Sequence, residues 1–100
     1  MLFILHFVLS LFAGALICNA IPHLTAGLRG ELFPSPFASP AGVGTSSPEV
    51  NVLWGSLNLF LGLAFFRHPV WVAFVLGFVI LGVFMARHFG KVRADGFKAI

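Results

Sequence analysis

The chain has 100 residues, 59% of them hydrophobic and 9% charged, with a formal net charge of +3 and a mean hydropathy of +1.02. That composition belongs to a membrane protein, and the length leaves no room for a second domain. No catalytic, nucleotide-binding or metal-binding motif is present, and the positive balance sits mainly in a basic C-terminal tail with no nucleic-acid-binding pattern around it.

Three apolar runs, 1–21, 50–66 and 70–86, dominate the sequence. A helix rises about 1.5 Å per residue and needs roughly 20 apolar residues to cross a bilayer. The expected fold is therefore all-α, a bundle of three transmembrane helices over about 2–21, 48–66 and 69–88 in a single integral membrane domain.

The first run is read as a retained span. A cleaved signal peptide wants a basic start and a small-x-small site, and residues 1–6 carry no Lys or Arg. Cys18 is the only cysteine, so no internal disulfide can form. His6 shares a helical face with Ser10, Ala13, Gly14 and Ile17 and is expected to point inward, with His68 able to approach it from the outer rim.

Residues 22–47 form a long Pro- and Gly-rich connection. Phe33 and Phe37 alternate with Pro34, Pro36 and Pro40, which predicts a stiff, extended strap whose aromatic rings touch lipid or protein. Gly42 and Gly44 are its hinge candidates. Ser47-Pro48-Glu49 then starts the second helix with a cap, a first-turn proline and an acidic first turn.

On the second helix, Asn51, Gly55, Asn58 and Gly62 recur at spacings of four, three and four, a narrow face that admits a close backbone neighbour. Only Arg67 and His68 separate Phe66 from Pro69, which predicts a tight antiparallel hairpin of helices two and three. Helix three has small residues on two sides, Ala73 with Gly77 and Gly82 with Ala86, and is expected to touch helices on both. This points to a homo-oligomer or a larger membrane complex. The region 89–100 is a basic tail. Arg87, Lys91, Arg93 and Lys98, with Arg29 on the same side and Arg67 opposite, put the N-terminus outside and the C-terminus in the cytoplasm. Compactness and the lack of a targeting segment suggest a bacterial inner membrane, with membrane lipids as partners and no nucleic acid.

Aligning the helices by depth pairs Ser10 with Asn58 near the midplane and places His6 level with Gly62 and Ala73. At the cytoplasmic face Asn19 and Asn51 fall together, with His23, Arg29, Arg87 and His88 around them. Asn19, His23, Arg29, Asn51 and Arg87 form the ligand-binding candidate, suited to a lipid phosphate, a quinone carbonyl or a carboxylate. No catalytic residue, metal site or cofactor is assigned. Glu31, Glu49 and Asp95 offer no acid–base pair, and an enzyme is not expected. The leading functional expectation is a structural or accessory subunit of a membrane assembly. The alternatives are an oligomeric small-solute transporter or channel using His6, Ser10 and Asn58, and a lipid- or quinone-binding membrane protein or enzyme.

Overall fold

A computed structural model describes residues 1–96. Three helices, α1 (Leu2–Leu28), α2 (Pro48–Phe65) and α3 (Trp71–Ala94), enclose a short antiparallel ladder of β1 (Phe33–Pro34) and β2 (Thr45–Ser46). The fold is thus mostly helical rather than all-α, because Phe33 pairs with Ser46 and Pro34 with Thr45 to close the strap into a small hairpin. Among the described residues, α1 and α3 are long and apolar enough to cross a membrane. The 18 residues of α2 carry Glu49, Asn51 and Asn58 and fall outside that set.

The first helix does not stop at Ile21. It runs through Pro22 to Leu28 and ends at Gly30, whose φ of 74° lets Glu31 N–H reach Ala26 O (2.9 Å) and Gly30 N–H reach Gly27 O (3.0 Å). Pro22 removes one backbone donor, but packing of the following turns against α2 carries the helix past it. The connection to α2 is correspondingly shorter than 22–47.

The start of α2 is as the sequence predicts, with Ser47 Oγ accepting from Val50 N–H at 3.1 Å, Pro48 in the first turn and Glu49 beside it. The helix ends at Phe65, one residue short of expectation. The third helix begins at Trp71, not Pro69, and continues past His88 to Ala94, so the first half of the expected tail forms its last turns, with Lys91 and Arg93 there. Lys98 and Phe97 lie outside the described residues.

The packing corrects the expected hairpin. Both α2 and α3 lie along α1 and make almost no contact with each other. The register of α2 is antiparallel to α1, with Gly62 against Ala13 and Ile17, Gly55 against Ala20 and Leu24, and Gly27 against Pro48 and Val52. The third helix runs parallel to α1, with Val70 beside Ser10, Gly82 beside Cys18 and Phe89 beside His23, and the two helices cross closely where Gly77 meets the carbonyl of Leu11 and Gly14 that of Phe74. At Gly14, Gly27 and Gly77 the neighbouring backbone is too close for a Cβ, and at Gly55 and Gly62 the Leu24 and Ile17 side chains fill its place. The small-residue face 51–55–58–62 is therefore the α1-facing side of α2, and all four of its residues are buried. On α3, Ala73 and Gly77 face α1, Gly82 sits beside Cys18 Sγ, and Ala86 is exposed.

Candidate functional site

Polar side chains line α1 and α2 where the strap folds back on them. Asn51, fully buried, is the hub. Its Nδ2 donates to the carbonyls of Phe33 (3.0 Å), Ser47 (3.0 Å) and Ser46 (3.3 Å), which fixes the amide and turns Oδ1 toward His23 Nδ1 at 2.7 Å. An amide oxygen only accepts, so Nδ1 of His23 carries the proton and Nε2 remains as a lone-pair acceptor. The imidazole is 2% exposed and is walled edge-on by Phe33 (centroids 5.3 Å), Trp54 (6.5 Å) and Phe89 (6.5 Å). One turn further into the bundle, Asn19 Nδ2 donates to Asn58 Oδ1 (3.0 Å), while Asn58 Nδ2 donates to Trp54 O (2.8 Å).

The strap is held by its own polar groups. Ser35 and Ser46 share a hydroxyl–hydroxyl bond of 2.6 Å, and Phe37 N–H and Gly42 N–H donate to Ser35 Oγ and Ser35 O. Gly42, at φ 71°, presents its carbonyl to His88 Nε2 at 2.7 Å and so ties the strap to α3. Phe33 packs on Phe89 (4.8 Å) and Phe37 stands edge-on to Trp54 (5.3 Å, 87°). The strap's two Phe thus touch protein, although Phe37 is also 65% exposed.

Between strap, α1, α2 and α3 lies a cleft of about 310 Å³, within the range of small-molecule sites, lined on its polar side by Asn19, His23, Trp54 and His88 and on its apolar side by Leu81, Phe84 and Met85. Trp54 Nε1–H is buried and has no hydrogen-bond partner among the described residues. An unmet buried donor costs roughly 1–3 kcal/mol.

Of the residues expected to form a ligand site, Asn19, His23 and Asn51 come together here. Arg29 and Arg87 do not. Arg29 is bound to Glu31 (2.8 Å) at the rim of a separate polar hollow of about 350 Å³ that also includes Arg93, and Arg87 is exposed on α3 away from the cleft lining. The expected Ser10–Asn58 pair does not form. Asn58 meets Asn19, and buried Ser10 accepts from Val70 N–H (3.0 Å), capping α3 at the opposite end of the bundle. His6 stacks on His68 at that same end (4.4 Å, 20°), beside a hollow that includes Arg67. Among the described residues no three His, Cys, Asp or Glu are grouped to hold a metal ion.

Trp54 is the cleft residue least visible in the sequence. Its position three after Asn51 and four before Asn58 was the available signal, since those spacings put it beside the polar face of α2. No protein-family model, curated protein or solved structure matches this chain.

Proposed function

We propose that this chain is a three-span membrane protein that binds a small amphipathic molecule in the cleft beneath its strap. The observation that carries the reading is a ligand-sized cleft whose wall includes His23, with Nε2 left as an acceptor, and Trp54, whose buried Nε1–H has no partner among the described residues. Buried polar groups are almost always paired, and an orphan beside a ligand-sized cleft is best explained by a partner that arrives with a ligand.

Three observations support placement in a membrane. The apolar windows of α1 and α3 are only 22% and 17% buried, unlike core helices of a water-soluble fold, and large apolar side chains such as Leu53, Phe60 and Phe84 face outward. Because α1 and α3 run parallel, a chain that crosses with both must return between them, and α2 is the element that does so. Arg29, Arg87, Lys91 and Arg93 gather at the strap end and Arg67 at the other, which favours a cytoplasmic strap in a bacterial inner membrane.

The experiment is native mass spectrometry of the protein released gently from its own membrane, with Trp54→Phe and His23→Phe beside it. A small molecule retained by the natural chain and lost from both variants is expected. A natural chain that carries no small molecule, or variants that retain it fully, overturns the reading.

A second reading, an accessory subunit of a larger membrane assembly, is favoured by Ala86, a small residue left open on the outer side of α3. A companion protein in the same mass spectrum is its test. Transport through His6, Ser10 and Asn58 gains no such support, because these three side chains are engaged separately with His68, Val70 and Asn19.

A further inference from the structure

The cleft does not end at Phe84. Leu81 and Phe84 are shared with a second hollow of about 330 Å³ that continues up the α1–α3 groove between Leu11, Phe12, Ala15 and Ile80. The lining changes along one direction from apolar walls that carry Asn19, His23, Trp54 and His88 to wholly apolar side chains. On α1, Asn19 and His23 lie on the same side of the helix as Phe12, and the rise from Phe12 to His23 is about 16 Å.

We infer that the ligand is a single-tailed amphiphile with an uncharged, hydroxyl-bearing head, seated with its head at Trp54 and His23 and its tail in the groove of Phe12 and Ile80. This rests on the cleft being a binding site, as proposed above. The head follows from the unmet hydrogen-bonding atoms. In the wall of the cleft, the buried Trp54 Nε1–H is a donor without a partner among the described residues. His23 Nε2 and Asn19 Oδ1 offer acceptors, since the other polar atom of each side chain is committed to Asn51 and Asn58. A hydroxyl accepts from the first and donates to one of the others, whereas a carbonyl answers only Trp54.

The charge follows from what is not in the lining. Arg29, Arg87, Lys91 and Arg93 all lie outside the cleft, and among the described residues the only ionisable side chains in its lining are His23 and His88, each with one ring nitrogen already bonded. A phosphate or carboxylate head would lose its water there and meet no Lys or Arg among the described residues. The tail follows from the groove, which opens sideways past exposed Phe12 and Ile80 and so admits a chain directly from the lipid phase.

The test is photolabelling of the full chain in phosphatidylcholine vesicles with a long-chain alcohol bearing a diazirine halfway along its chain. Saturable labelling is expected within residues 11–15 and 77–84, displaced by the plain alcohol about tenfold more effectively than by the alkyl phosphate of equal length. Trp54→Phe weakens it, and Ile80→Trp, at a position 64% exposed and so without consequence for folding, moves or blocks it. Phe12→Ala serves as a second groove variant. Saturable labelling that depends on Trp54 but maps to the outer face of α2, around Leu53 and Phe60, overturns the tail assignment and leaves the binding cleft intact. Equal competition by the phosphate overturns the uncharged head. Labelling that nothing saturates overturns both the inference and the binding function beneath it.

Discussion

His23 Nδ1 donates to Asn51 Oδ1 at 2.7 Å, and this one bond links the end of the first helix to the strap, because the same Asn51 amide holds three strap and cap carbonyls with its nitrogen. A single buried side chain thereby sets both the tautomer of the cleft's imidazole and the position of the cover above it.

Asn51→Leu is accordingly the most disruptive polar-to-apolar change in the strap region. It strands the Phe33 and Ser46 carbonyls and releases His23, at a cost of about 3 kcal/mol. Amide hydrogen exchange across 33–46 should rise sharply while α3 stays protected. Unchanged strap protection would show that Asn51 is not its anchor.

Two glycine substitutions separate close packing from helix propensity. Gly77→Ala drives a methyl into the Leu11 carbonyl and should pull α3 off α1, lowering the unfolding temperature in detergent by many degrees. Gly90→Ala meets nothing within 4 Å and should stabilise α3 by roughly 0.5–1 kcal/mol. Equal effects of the two would refute the α1–α3 register.

Ser10→Ala tests the cap across the bundle. Its hydroxyl satisfies Val70 N–H just ahead of α3, and its loss should cost about 1 kcal/mol, read as a shift in thermal unfolding and faster exchange at the start of that helix. Rescue by Ser10→Thr is expected, and indifference to Ser10→Ala would leave the cap without a role.

The pH dependence at the rim is small and has a definite sign. The hydrogen bond from Arg29 holds the Glu31 carboxyl below its ordinary range. A lowered carboxyl contributes stability above its unfolded-state pKa and loses it as pH falls through the folded-state value. The pair is fully exposed, so salt screens it and Glu31→Gln should leave unfolding at neutral pH unchanged. A marked acid-side destabilisation that survives high salt and vanishes in Glu31→Gln would contradict this.

Much of the second helix was legible in the sequence, for a local reason. Ser47-Pro48-Glu49 specifies its own start, and the 51–55–58–62 face declares its packing side through periodicity alone. The end of α1 was not legible, because Pro22 is a strong stop by local rules and only the contacts of Ala20, Leu24 and Gly27 with α2 override it. That error moved the register. Counting depth from Ile21 set Ser10 opposite Asn58, whereas the longer helix brings Asn19 there and leaves Ser10 for Val70. Asn19, His23 and Asn51 lie close together because all three sit near the strap, whereas Arg29 pairs with Glu31 and Arg87 is exposed on α3. The strap's backbone carbonyls have no periodic signature.

The central position of α1 bears on how the protein is made. A ribosome delivers α1 first, and each later helix then has a finished surface to settle on, while α2 and α3 offer each other almost nothing. The contacts predict assembly by sequential addition to a template. A fragment beginning at Ser47 should fail to hold its two helices together, and supplying residues 1–46 as a separate chain should restore them, with the strap stitched back across the break.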